Sequence, residues 1–444
     1  MKKLLAVVLS ALMLTAVFAN GAKEGSSKDS AIEPDAKIVF SCDTDAWGAA
    51  VVALWDKTYP KLAGVVSYEH NGTQGATDMI GQLQGDAPDV MLAIDEEVSR
   101  QSQSLKELSP AVAAVAKQVS QPPFYSTVNT GYNLYVPIGY NGLVFSWNKT
   151  MMDALGMDTT DADGDGLPDA FDTWEEIFAW SKANTGKVQY KGKTINVCFP
   201  LPLGNQWSTY SAFTCEGWNI YASGDATKPG FDDPKFLKSL DFISAAADAR
   251  LSVEANGSLT PAESMAERGQ DFINSDISPF CLVGTWQDVN SAEATLGEDF
   301  KFSTMPTWHG NHMSPFVTTK GFVINGFTSY PLACDKLMRL LLNTEGMQAM
   351  VDNSSYIPAL AAGAPNTPDF TNDSNKKEML KGFAYNYPTP SLSLPNNPAM
   401  SAITVFYNIA IEQSYYGIWD GTRTAKEVQD EIVANAAAWL ATNN

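Results

Sequence analysis

Apolar residues recur along the chain in two alternating rhythms. Lys37-Ile-Val-Phe-Ser41 is an apolar run of strand length, and Val51, Leu54 and Trp55 then follow at helical spacing until Pro60 ends the run. Gly64-Val-Val-Ser-Tyr-Glu69 predicts a second strand, Met79, Ile80 and Leu83 the face of a second helix, and Asp89-Val-Met-Leu-Ala93 a third strand. A βαβαβ order of this kind predicts an α/β fold with a mainly parallel sheet covered by helices. Thr260-Pro-Ala-Glu263 and Thr424-Ala-Lys-Glu427 both have capping-box spacing and predict helix starts. After the second box, Val428, Ile432, Ala436, Trp439 and Leu440 share one face, so an amphipathic helix is expected at the end. Trp147, Trp174 and Trp439 lie on such periodic faces and are expected in the core.

The first residues follow a different rule. Lys2 and Lys3 precede an apolar run from Leu4 to Phe18, and small residues at Val17 and Ala19 fit a cleavage site, so residues 1–19 read as a secretory signal peptide. Residues 20–35, rich in Gly, Ser and charge, read as a flexible leader. With no Cys near the cleavage point, a lipid anchor is not expected. The protein is expected to act in the periplasm or outside the cell.

Composition narrows the function. At 444 residues the chain has room for two or three units, and its net charge of -21 would repel phosphate backbones, which argues against nucleic acid. Eleven Trp, 16 Tyr and 21 Phe suit a core and equally suit stacking on a ligand. The five cysteines, Cys42, Cys198, Cys215, Cys281 and Cys334, show no metal-ligand spacing, and most sit in apolar runs that predict buried, inert thiols. There is no GxSxG, HExxH, Walker loop or GxGxxG, and His309-Gly-Asn-His312 reads as a surface turn. A pair of carboxylates in a cleft, as in a glycoside hydrolase, has no specific motif behind it.

One segment does carry metal chemistry. In Asp161-Ala-Asp-Gly-Asp-Gly-Leu-Pro-Asp-Ala-Phe-Asp172, acids fill positions 1, 3, 5, 9 and 12 of an EF-hand-like loop, with Gly at position 6 for the sharp turn. Asp161, Asp163, Asp165, Asp169 and Asp172, with the backbone carbonyl of Leu167, form a set of hard oxygen donors for Ca2+. Five carboxylates so close repel one another unless a cation sits among them. The expected role is structural, since full coordination leaves no open position for chemistry.

A set of motifs then occurs in a telling order: Gly85-Asp-Ala-Pro-Asp-Val-Met-Leu92, Val136-Pro-Ile-Gly-Tyr-Asn-Gly-Leu-Val-Phe-Ser-Trp-Asn-Lys149 and Asp172-Thr-Trp-Glu-Glu176. Gly284-Thr-Trp286, Met305-Pro-Thr307, Lys320-Gly-Phe-Val-Ile-Asn325, Asn343-Thr-Glu-Gly-Met-Gln-Ala-Met-Val351 and Met400-Ser-Ala402 follow. In order and spacing, over roughly residues 37–440, these resemble the extracellular solute-binding proteins of sugar ABC importers, the group that includes maltose-binding protein. The calcium loop reads as an insertion within that pattern.

The resemblance implies a two-lobed periplasmic-binding-protein fold with hinge strands: lobe 1 at 36–140 plus 320–353, lobe 2 at 141–317 plus 357–444, with the 161–172 loop inserted in lobe 2. It implies a monomeric, non-enzymatic protein that captures a carbohydrate between the lobes and passes it to permease subunits of an ABC transporter. Carried over by position, the ligand residues are Asp43, Asp45 and Trp47 after the first strand, Asn71 after the second, Asp95 and Glu96 after the third, Asn141 at the crossover, and Asn205, Trp207 and Trp286 in lobe 2. Ala93 and Asn141 stand where the maltose binders have Trp and Glu, which points away from maltodextrin itself. The other readings are the same fold holding a polyamine, whose sign would be a strongly acidic cleft, and a calcium-stabilised glycoside hydrolase.

Overall fold

The structure, a computed structural model, describes residues 32–443 apart from 99–100, 130–131, 223–227, 266–268, 314–316, 370–375, 378, 381–408 and 410–411. The signal peptide, residues 20–31 of the leader and Met400-Ser-Ala402 lie outside the described residues. The predicted βαβαβ unit is present. Strands β1 (Ile38–Cys42), β2 (Val66–His70) and β3 (Val90–Ile94) alternate with helices Asp45–Thr58 and Ala76–Leu83, and β1 pairs in parallel with both β2 and β3.

Strand β4 (Val136–Asn148) organises the rest, because all thirteen of its residues are buried. At ~3.3 Å per residue it reaches about 40 Å, farther than one small domain needs. Beyond it come a two-stranded hairpin, β5 (Gln189–Tyr190) with β6 (Lys193–Thr194), and strands β7 (Phe280–Gly284), β8 (Phe300–Ser303) and β9 (Val317–Ile324). The first half of β4 pairs with β9, and its second half with β7 and β8. The large sheet runs β2-β1-β3-β9-β4-β7, with β8 also on β4. It is mixed where a mainly parallel sheet was expected, since every pairing of β9, and of β4 with β7 and β8, is antiparallel. The expectation came from the first three strands, and the strand returning from residue 317 reverses the direction.

A change of partner along one strand implies a change of core. Val136 and Ile138 pack with Phe40, Val51, Trp55, Leu92, Phe322, Leu337 and Met350 in one apolar cluster. Leu143, Phe145 and Trp147 pack with Trp174, Phe199, Phe213, Phe242, Trp419 and Ile432 in another. A third stretch of chain accompanies β4 and β9: Tyr140 N donates to Ile357 O at 2.8 Å, and Ala359 N to Ile138 O at 2.9 Å. Three segments thus run side by side past these two clusters, with Tyr140, Val144, Ile357 and Ala359 packed together in a further cluster of their own.

Local signals fared unevenly. Thr424 and Glu427 form the predicted capping box, with Thr424 N donating to Glu427 Oε2 at 2.8 Å and Glu427 N to Thr424 Oγ1 at 3.2 Å, ahead of helix Ala425–Asn443. At Thr260 no α-helix starts: its hydroxyl shares a bond with Ser252 Oγ at 2.8 Å, and only the short 3-10 turn Ala262–Ser264 follows. Trp147 and Trp174 are buried as expected, and Trp439 is partly buried against the same core. All five cysteines are buried and free, and burial pushes the thiols of Cys198, Cys215, Cys281 and Cys334 up to about 12. No described helix is long and apolar enough to cross a membrane.

Candidate ligand-binding cleft

The cavity lies beside the start of the helix that follows β1 and next to the crossing segment at 352–357. After β1 the chain turns at Asp43-Thr44 into helix Asp45–Thr58. Thr44 holds the extended N-cap conformation, yet its hydroxyl donates to Asn353 O at 3.2 Å instead of capping the helix. That bond ties the start of one helix to the end of another, Thr344–Asn353. Above them opens a cavity of about 500 Å3. Ala46 and the segment 352–355 form one side, and the residues following β7, from Thr285 to Glu293, form the other.

Trp286 is the aromatic on that second side. The residue is 43% exposed, whereas Trp47, Trp55, Trp174 and Trp419 are each 1% exposed or less. The mount is rigid. Thr285 N donates to Gly142 O at 3.0 Å, and Thr285 Oγ1 to Tyr140 O at 3.0 Å, which fixes the strand end to β4. Gln287 Oε1 accepts from Gly284 N at 2.7 Å and closes the turn. The indole lies against Gly284 so closely that a Cβ there would be 2.7 Å from the ring, so only glycine lets Trp286 adopt this pose.

Other predicted residues land elsewhere, and two corrections are needed. Trp47 was expected on the ligand side. It is instead 1% exposed and packs edge-on against Phe40, with Phe322 and Tyr356 also within 5.9 Å between ring centroids. As the third residue of its helix it falls on the buried face with Gly48 and Val51. Asp95 was also expected to meet ligand. It is 3% exposed, and its carboxylate accepts from the Thr318 hydroxyl, from Thr319 N at 2.8 Å and from Thr319 Oγ1 at 3.0 Å. Its carboxylate thus braces β9.

Asp43 joins a polar cluster with Tyr356 and Lys320. Its Oδ2 accepts from the Tyr356 hydroxyl and from Lys320 Nζ at 3.5 Å, while its Oδ1 is buried with no partner among the described residues. Burial lowers the Lys320 ammonium, offset by the Asp43 charge, and burial with the same charge raises the Tyr356 phenol well above its ordinary value. Asp45 is exposed and faces His70 at 3.4 Å. Asn71 Nδ2 donates to Ser41 Oγ at 3.1 Å, at the end of β2. Asn141 is buried on β4 opposite Thr318. Asn205 is half-buried just before helix Gln206–Thr214, and its carbonyl accepts from Ser208 N at 3.0 Å. The side chains of Glu96 and Trp207 lie outside the described residues.

Of the predicted ligand residues described, Trp286 lines the cavity and the others do not. The sequence reading did not single out Gln287, Asp288, Asn290, Glu293 and Asp352 on its wall. The polar run directly after the Gly284-Thr-Trp286 motif was the available signal for the first four.

The acidic loop lies apart from the cleft. Asp161 Oδ1 and Oδ2 accept from Gly164 N at 2.8 Å and Gly166 N at 3.1 Å, and Asp169 Oδ1 accepts from Ala162 N at 2.9 Å. One carboxylate oxygen from each of Asp161, Asp163 and Asp169 falls within 4.8 Å of the others. Asp172 Oδ1 is buried with no partner among the described residues, and burial, then its acidic neighbours, pushes that carboxyl up to about 6. Asp165 is raised mainly by burial. Leu167 inserts its side chain in the core, and Trp147 Nε1 donates to Gly166 O at 3.0 Å, joining the loop to the end of β4.

Comparison with known proteins agrees with this architecture. A crystal structure of a cyclo/maltodextrin-binding protein complexed with maltotetraose superposes with a TM-score of 0.69 at 16% identity, covering 94% of this chain and 99% of that one. No curated protein sequence matches. The family described as bacterial extracellular solute-binding protein matches residues 33–378, so this chain is a member of that family.

Proposed function

We propose that the protein captures a carbohydrate between two lobes, 36–140 with 320–353 and 141–317 with 357–444, and delivers it to the permease of an ABC importer. It does so as a monomer and without chemistry, in the periplasm or outside the cell. The observation that carries this reading is the exposed Trp286 on a braced mount, facing a 500 Å3 cavity whose two sides come from segments joined through the crossing strands. A sugar ring offers C–H faces for an indole and hydroxyls for side chains such as Gln287, Asn290 and Asn353, which both donate and accept. Family and structural neighbour are both binding proteins, and the neighbour holds an oligosaccharide. Driving closure from 1:99 to 99:1 takes about 5.5 kcal/mol of preference for the closed form, within reach of one stacked ring and a few bonds. A thermal-shift screen of mono- and oligosaccharides tests it: a binder raises the melting temperature and returns the sugar intact, while a hydrolase releases products.

The 161–172 loop is proposed as a structural Ca2+ site held by Asp161, Asp163, Asp165, Asp169, Asp172 and the Leu167 carbonyl. Three converging carboxylates and the orphaned Asp172 Oδ1 support it. Asp165→Ala should lower the melting temperature and abolish the gain from added calcium. A parent protein whose melting curve ignores chelator would refute the site.

A further inference from the structure

Two carboxamides line the cavity, one on each side, and backbone bonds fix which way each is turned. Gln287 closes its turn on Gly284 twice: its N donates to Gly284 O at 2.9 Å, and its Oε1 accepts from Gly284 N at 2.7 Å. A backbone N–H only donates, so the amide must present oxygen there, and its NH2 lies at the other corner of the plane. Asn353 is held the opposite way round. Its Nδ2 donates to Ala349 O at 2.9 Å, and a carbonyl only accepts, so Oδ1 is the corner turned from the helix. The Asn353 carbonyl in turn accepts from Thr44 Oγ1 at 3.2 Å, which ties this residue to the start of helix Asp45–Thr58. Both residues are half-buried.

An amide free to flip tells a ligand little, because each flip exchanges donor for acceptor. These two are polarised: Gln287 keeps both of its donors, and Asn353 keeps its oxygen. A hydroxyl both accepts and donates, so a ring carrying hydroxyls at two edges suits such a pair. We infer that Gln287 and Asn353 are the specificity-determining pair of this cleft: the Gln287 amide donates to a sugar hydroxyl beside Trp286, and Asn353 Oδ1 accepts from a hydroxyl at the opposite edge. The sugar's hydrogen bonds then run one way across the cavity. This rests on the cavity being the sugar site and names the side chains that select among sugars there.

Calorimetric titration with glucose, galactose, mannose, maltotetraose and cellotetraose tests it. For the sugar that the parent binds most tightly, Gln287→Met and Asn353→Ser should each weaken binding about tenfold, the scale of one lost hydrogen-bonding partner. Met keeps the length of Gln, and a serine here can donate to the carbonyl four residues back, as Ser354 Oγ does to Met350 O at 2.6 Å. Melting temperatures should therefore stay within about 2 °C of the parent. Gln287→Leu and Asn353→Ala give the same readout if either first variant melts early. To separate a sugar contact from upkeep of the Trp286 turn, Gln287→Met is repeated in a Trp286→Ala background, where the tenfold loss should persist. Parental affinity in the variants of either residue, or a Gln287→Met loss that vanishes without Trp286, overturns the inference and leaves the capture reading standing. Binding of none of the five, with no stabilisation in the wider thermal-shift screen, overturns both.

Discussion

Two loops of this molecule carry similar chemistry and end in opposite places. Asp43-Thr-Asp-Ala-Trp47 follows β1, and Thr285-Trp-Gln-Asp288 follows β7. Each offers a tryptophan and acid at the mouth of a strand. In the first, Trp47 is already the third residue of a helix, and the helix turns it inward onto Phe40 and Phe322. In the second no helix begins until Asn290, and Gly284 leaves room for the Trp286 indole to lie outside. Backbone geometry within four residues, more than residue type, decides which aromatic packs into the core and which stands exposed at the cavity.

Substitutions can break that contrast. Trp47→Ala empties a core site and should cost about 3–5 kcal/mol of stability, seen in denaturant unfolding. Trp286→Ala should leave stability within about 0.5 kcal/mol, as for a surface change. It should weaken sugar binding by about 2 kcal/mol, roughly thirtyfold, as for a hot-spot residue. Gly284→Ala tests the mount itself. Its new methyl displaces the indole, so it should weaken binding by about tenfold, or 1.4 kcal/mol, while the cavity lining remains. A Trp47→Ala protein of parental stability, or a Gly284→Ala protein of parental affinity, would undo the comparison.

What was legible in the sequence follows from range. The first three strands, the terminal capping box and the buried Trp147 and Trp174 rest on neighbours a few positions apart, and periodicity finds those. The Gly284-Thr-Trp286 motif is equally local, and its tryptophan lines the cavity. Trp47 was misread because a short segment at a helix start has no established face. Asp95 was misread because its partners, Thr318 and Thr319, are 223 and 224 positions away. The Asp43–Tyr356–Lys320 cluster joins residues 313 and 277 positions apart, and no local pattern announces it. Asp288 and Asp352, 64 positions apart, line one cavity only because the fold brings them there.

The central claim is that a sugar is held against Trp286 between the two halves. Titration calorimetry of parent and Trp286→Ala proteins, with one oligosaccharide panel and recovery of the sugar afterwards, tests it most directly. The account predicts saturable one-to-one binding by the parent, intact sugar on recovery and a roughly thirtyfold loss in the variant. Equal affinity in both proteins, or no heat from any sugar with the parent, would contradict it.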